Sequence, residues 1–161
     1  MSMFEDQHYR WRETYFVLFD SARRPTLSAM KKALSALDDR YVLVHARGDQ
    51  KGLFESIGLL SPDDFAAVDI SYMSGEEVLE QGAELYEEIQ RGMPAGERSK
   101  LKRICKYDGR FDVLHFERVP NPEEGDGDEE MLDPGAVLIV LEALARLTEG
   151  IAVDPQSGTV V

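Results

Sequence analysis

The sequence has very few of the residues that build common reactive sites. Its 161 residues include one cysteine, Cys105, and three histidines. A lone cysteine excludes an internal disulfide and any structural zinc site built from several cysteines. The chain contains no Gly-rich phosphate loop of the Walker or Rossmann type, no Gly-x-Ser-x-Gly elbow and no His-Glu-x-x-His. These absences favour a non-enzymatic domain, with no catalytic residue, no metal site and no cofactor assigned.

The chain also has little positive charge, and its net charge is −13. The deficit lies in the second half, because residues 1–60 carry a net +1 and residues 61–161 a net −14. Such a balance argues against nucleic acid or an anionic membrane as a partner. No signal peptide and no bilayer-length apolar run is found. We therefore expect a soluble cytoplasmic protein.

A basic island interrupts the acidic half. It consists of Arg98, Lys100, Lys102, Arg103, Lys106 and Arg110. Because carboxylates are abundant nearby, we expect these cations to be neutralised within the molecule by surface ion pairs. Cys105 lies inside the island, where positive charge can lower a thiol pKa. The alternative is that it packs as a small hydrophobe beside Leu101 and Ile104.

The strongest local pattern is the helix predicted from Asp133 to Leu147. Asp133 can cap its first turn, and Pro134 suits the first helical position. Its polar residues Glu142, Arg146 and Glu149 form one narrow stripe, so the pattern predicts a helix covered on nearly every side. A short strand pair should follow it.

The remaining elements predict an α+β domain over residues 14–161, preceded by a polar leader at 1–13. The order β-α-β-β-α-(α)-β-α-β-β treats residues 48–62 as irregular. Its first part matches a ferredoxin-like (split β-α-β) core, in which two helices cover one sheet face. The C-terminal buried helix would cover the other face, giving an α/β/α sandwich with a short β-hairpin. A doubly wound parallel sheet is the alternative.

The acidic loop at residues 121–130 is expected to be mobile, because it has almost no apolar surface to bury. Its Asp126-Gly127-Asp128 resembles part of a calcium loop. However, Met131 and Val137 occupy the positions where such a loop needs glycine and glutamate.

Two of the histidines, His45 and His115, fall on predicted strands. In the split β-α-β order these strands are opposite edges of the sheet, so the histidines would be far apart. A histidine pair for catalysis or metal binding is therefore not expected, and each imidazole should be satisfied by a neighbouring group.

The loop at residues 20–26 is the best candidate for ligand binding. Ser21, Arg23, Arg24 and Thr26 lie just before a predicted helix, where cations and free N–H groups favour an anion. Two function hypotheses follow. The first is an acidic domain that acts through a protein partner, a homo-oligomer or as a regulatory accessory subunit. The alternative is a domain, enzymatic or not, that binds a small anionic ligand at this loop.

Overall fold

The computed structural model describes residues 9–61, 66–118 and 135–161, which form seven strands and four helices. The strands are β1 (Tyr9–Phe19), β2 (Val42–Gly48), β3 (Phe54–Ser61), β4 (Ala66–Ser74), β5 (Gly109–Arg118), β6 (Ile151–Asp154) and β7 (Thr159–Val160). The helices are α1 (Leu27–Ser35), α2 (Glu76–Gln90), α3 (Ala95–Leu101) and α4 (Gly135–Thr148). Two 3₁₀ segments, Ser21–Arg23 and Lys102–Lys106, complete the described elements.

All seven strands form one antiparallel sheet in the order β2-β3-β4-β5-β1-β6-β7. β1 lies between β5 and β6, and its residues Val17, Leu18 and Phe19 have no exposed surface. The unbroken apolar run of this strand therefore predicts its interior position correctly. β1 begins at Tyr9, inside the segment that the sequence marks as a polar leader.

The split β-α-β arrangement is not confirmed, because the sheet is more extensive. Strands β2, β3 and β4 form an antiparallel meander, β5 pairs with β4 after α2 and α3, and β1 lies beside β5. The difference arises at β3, which occupies residues expected to be irregular. Ile57 and Leu59 are fully buried there, and Gly58 lies within the strand rather than ending it. Glycine is a typical turn residue, but here it lies inside a strand, so the expectation of an irregular segment is wrong.

Helices pack on both faces of the sheet, but in a different pairing from the one expected. α1 and α4 share one face, where they pack on Val17 and Phe19 of β1. α2 packs on the opposite face against Leu18. Leu18 reaches that face because successive side chains of a strand point to opposite sides of the sheet. The expectation that α1 and α2 share a face is wrong. Because β3 is an additional strand, the helices pack on different strands from those expected. Which helices share a face of the sheet could therefore not be inferred from the order of elements along the chain.

α4 is largely core, as its composition predicts. Four of its residues have no exposed surface, namely Val137, Val140, Leu141 and Leu144. Leu138 and Ile139 are nevertheless 42% and 48% exposed, so the helix is not covered on nearly every side. The cap at Asp133 and Pro134 and the acidic loop at 121–130 lie outside the described residues. Among the described helices, none is both long and apolar enough to cross a bilayer.

Candidate anion-binding cleft

The basic 3₁₀ helix at Lys102–Lys106 is fixed to the fold by its apolar residues. Leu101 and Ile104 are buried in the cluster beneath α2. Gly82 of α2 lies so close that a Cβ there would be 2.9 Å from the Ile104 carbonyl oxygen. Because the apolar side chains and this carbonyl face α2, the cationic residues of the 3₁₀ helix, Lys102, Arg103 and Lys106, are exposed to solvent.

The turn after β1 lies opposite this helix. The Asp20 carboxylate accepts a hydrogen bond from the Ala22 N–H at 3.0 Å and so begins the 3₁₀ turn. Ser21 donates its N–H and its hydroxyl to the two carboxylate oxygens of Asp108, each at 2.8 Å. These bonds hold the pKa of Asp108 below its usual range, with the Ser21 backbone N–H as the main cause. The turn is thereby joined to the segment that leads into β5.

The carboxyl end of α4 forms the third wall. Thr148 is buried and donates its hydroxyl to the Leu144 carbonyl at 2.8 Å. Glu149 follows at φ 54, and the Gly150 N–H bonds the Ala145 carbonyl at 2.9 Å. This geometry is a Schellman cap in which Glu149 takes the left-handed position. Its carboxylate forms an ion pair with Arg23.

These three segments enclose a cleft of about 590 Å³. That volume falls within the range of small-molecule sites, about 300–1,000 Å³. The residues that line it are Asp20, Arg23, Ser99, Lys102, Arg103, Lys106, Tyr107, Thr148 and Glu149.

The cleft is electropositive in an acidic protein. Its four cations outnumber its two carboxylates, whereas the whole chain has a net charge of −13. In the described ranges, Lys102, Arg103 and Lys106 form no ion pair. For these three cations the expected neutralisation by internal carboxylates is not found. Their donors remain available to an anion.

Of the four residues predicted for anion binding, only Arg23 lines the cleft. The Ser21 hydroxyl is engaged by Asp108, and the Thr26 hydroxyl caps α1 by accepting the Ala29 N–H at 3.0 Å.

Arg24 lies on the other side of the loop. Its Nε donates to the Phe54 carbonyl at 2.9 Å, and its guanidinium stacks on Tyr72 at 4.1 Å. These contacts join the loop to β3 and β4, so Arg24 has a structural role.

No known protein family, curated protein or solved structure matches the chain.

His115 lies apart from the cleft, on interior strand β5, and not on an edge strand as expected. It is fully buried, and its Nδ1 lies 3.2 Å from a Glu13 carboxylate oxygen. Burial lowers the pKa of His115, although the neighbouring Glu13 acts in the opposite direction. Its Nε2 has no hydrogen-bond partner within the described part of the chain. His45 lies on edge strand β2, which is separated from β5 by the two strands β3 and β4.

Two carboxylates lie on the sheet face that carries α2. Burial raises the pKa of Asp69 and of Asp112, despite the favourable charge of Arg110 beside Asp112. Arg110 bonds Asp112 at 2.7 Å, contacts Gln81 of α2 and lies 4.2 Å over the Phe16 ring. This buried arginine joins α2 to the sheet. Among the described residues, no three ligand-type side chains gather into a group that could hold a metal ion.

Cys105 is partly buried, and desolvation raises its thiol pKa, with the nearby Glu87 adding to the effect. The positive charge of Lys102 acts in the opposite direction but does not prevail. A raised pKa opposes thiolate formation, so the structure favours the packing alternative over a reactive cysteine.

The cleft residues that sequence reasoning missed come from two distant segments. The basic island can be identified in the sequence, but the excess of carboxylates predicts that its cations are neutralised by ion pairs. Thr148 and Glu149 carry no local signal, because they reach the cleft only through the packing of α4 beside β1.

Proposed function

We propose that this chain is a binding domain for a small anionic ligand, which it takes in the cleft between the Ser21–Arg23 turn and the basic 3₁₀ helix. The observation that supports this most is the gathering of Arg23, Lys102, Arg103 and Lys106 around one cleft in a chain of net charge −13. Like charges held close together on an acidic protein favour an anion between them.

The available donors favour the same conclusion. The Thr148 hydroxyl donates to Leu144, and the Ser99 hydroxyl donates to Gly96 at 3.1 Å. Both hydroxyl groups can accept from a ligand but have already used their proton. The charged nitrogen atoms are therefore the main donors in the cleft, and charge-assisted bonds to an anion are stronger than neutral ones.

The walls of the cleft are fixed by burial and by hydrogen bonds. Ile104 and Thr148 have no exposed surface, and Ser21 is bonded twice to Asp108. A site whose walls are fixed before the ligand arrives loses less entropy on binding.

Thermal unfolding with a panel of phosphates, carboxylates and sulfate tests the proposal. At a ligand concentration of about one hundred times Kd, binding should stabilise the fold by about 2.7 kcal/mol. The double variant Lys102→Gln/Lys106→Gln should weaken binding by at least about tenfold, since it removes two charge-assisted contacts. The matched control is Lys31→Gln/Lys32→Gln on exposed positions of α1, which should bind as the wild type does.

The proposal is wrong if no anion of the panel shifts the unfolding temperature. It is also wrong if the Lys102 and Lys106 variant binds as tightly as the control.

Interaction with a protein partner is the second candidate function, and Leu138 and Ile139 favour it. These adjacent residues of α4 are 42% and 48% exposed, so part of the apolar surface of the helix is left uncovered. If a second copy covers them, sedimentation equilibrium should show a dimer that Ile139→Glu dissociates. A wild-type protein that stays monomeric at high concentration would exclude self-association through this surface.

A further inference from the structure

We propose that the ligand of the cleft is a phosphoryl dianion, and that the Glu149 carboxylate is an internal competitor that the ligand must displace from Arg23. This inference rests on the proposed function, because it names the ligand class and the regulation of the same cleft. It follows from the charge balance, from the Arg23–Glu149 ion pair and from the backbone at Glu149.

The charge balance selects a dianion. Four cations and two carboxylates line the cleft, which leaves a surplus of two positive charges. A phosphate monoester carries about −1.5 to −2 at neutral pH and offers three strong acceptor oxygens. A monocarboxylate would neutralise half of the surplus and offer two oxygens. Two lysines and two arginines match the phosphoryl group better.

Glu149 already supplies one anionic group to this cleft. Its carboxylate pairs with Arg23, whereas Lys102, Arg103 and Lys106 form no ion pair in the described ranges. The side chains of Arg23 and Glu149 are 57% and 63% exposed, so solvent screens the pair and it is easily exchanged. An incoming phosphoryl group can therefore replace the Glu149 carboxylate on the Arg23 guanidinium.

The backbone conformation at Glu149 explains why its carboxylate lies at the wall of the cleft. Glu149 has φ 54 in the left-handed position of the α4 cap, which glycine usually fills. The glycine comes one residue later, because a Cβ at Gly150 would lie 2.4 Å from the Leu18 carbonyl oxygen. Glu149 thus adopts a costly conformation at the wall of the cleft, and residues held in such conformations cluster at functional sites.

Isothermal titration with inorganic phosphate tests the competition. Glu149→Gln keeps the size of the side chain and removes its charge, so it should tighten phosphate binding about fivefold, the factor that the strongest exposed ion pairs are worth. The control is Glu142→Gln, which removes another exposed glutamate of the same region that is paired with an arginine, Arg146, away from the cleft. This control should leave phosphate binding unchanged.

The same titration in an Arg23→Gln background separates competition from a general charge effect. If Glu149 acts by occupying Arg23, then Glu149→Gln should improve binding there no more than Glu142→Gln does. An equal improvement with and without Arg23 would overturn the competition. Unchanged binding by Glu149→Gln in the wild-type background would also overturn it.

The dependence of binding on pH tests whether the ligand binds as a dianion. A phosphate monoester such as phenyl phosphate should bind more weakly below about pH 6, where its dianion gains a proton, while sulfate binding should stay level. Acetate that binds as tightly as phosphate would overturn the dianion assignment. If neither phosphate nor sulfate nor acetate binds, the proposed function itself fails.

Two sources could supply the phosphoryl group, and two probes distinguish them. Phenyl phosphate represents a small phosphorylated molecule, and a phosphoserine peptide represents a modified protein. Tighter binding of either one than of its unphosphorylated form supports the phosphoryl assignment and identifies the source. Equal binding of the phosphorylated and unphosphorylated forms of both probes would overturn it.

Discussion

Glu149 and His45 are the non-glycine residues that the described ranges hold at positive φ. At Glu149 the cause is the packing of α4 against β1, because the glycine is needed at position 150 to let the chain approach Leu18. At His45 the backbone changes register with β3 between Val44 and Arg47. In both cases contact with a distant element, and not the local sequence, imposes the left-handed backbone.

His115 should make the stability of the fold depend on pH. Burial lowers its pKa below the ordinary 6.5, so the unfolded chain takes up a proton before the folded chain does. This contribution to stability is present above about pH 6.5 and is lost as the pH falls through the lowered pKa of the folded state. His115→Gln should therefore give a shallower loss of unfolding free energy between pH 7 and pH 5 than the wild type. The difference in slope should be at most about 1.4 kcal/mol per pH unit, the value for one proton.

The raised pKa values of Asp69 and Asp112 act in the opposite direction, since protonation favours the folded state at those positions. They are present in both proteins, so they cancel when the variant is compared with the wild type. Lys31→Gln on an exposed position of α1 is the control and should keep the wild-type slope. A slope in His115→Gln equal to that of the control would contradict the prediction. Urea unfolding at several pH values measures it.

At the scale of elements, α4 carries both core and exposed apolar surface. Leu144 has no exposed surface and should cost roughly 2–5 kcal/mol when truncated to alanine, the range for buried leucine. Ile139 is 48% exposed, and Ile139→Ala should cost under about 0.5 kcal/mol. Urea midpoints measure both. Equal costs would mean that Ile139 is covered in solution, which would favour the partner hypothesis.

The composition of strand β3 makes the strand difficult to recognise from the sequence. Ser56, Gly58 and Ser61 interrupt its apolar residues, and the alternation is blurred because Leu59 and Leu60 are adjacent. Leu59 packs with α1 and α4, whereas Leu60 belongs to a smaller cluster with Phe116 on the opposite face. A strand that is apolar on both faces and contains glycine lacks the period of two that would reveal it.

At the scale of the whole molecule, charge is separated rather than balanced. The chain is acidic, yet four of its cations, Arg23, Lys102, Arg103 and Lys106, gather around one cleft. An electropositive cleft in a negatively charged protein repels most polyanions at long range and attracts small anions at short range, within a Debye length of about 8–10 Å. This arrangement is consistent with a small anionic ligand.

The sequence by itself determined the class of the fold and the places of its strongest elements. The apolar run of β1 indicated an interior strand, and the composition of α4 indicated a core helix. These predictions held because each depends on burial, which the period of the apolar residues records directly. Of the residues predicted for anion binding in the loop at 20–26, Arg23 lines the cleft.

Only the tertiary structure decided the order of the strands and the composition of the cleft. The position of β5 between β4 and β1 depends on pairings between residues about one hundred positions apart, such as Val17 with Phe111. No local pattern specifies such a pairing, because many partners offer the same backbone hydrogen bonds. For the same reason Arg23, Lys102 and Glu149 meet through packing alone, and the sequence shows three charges without showing that they share one site.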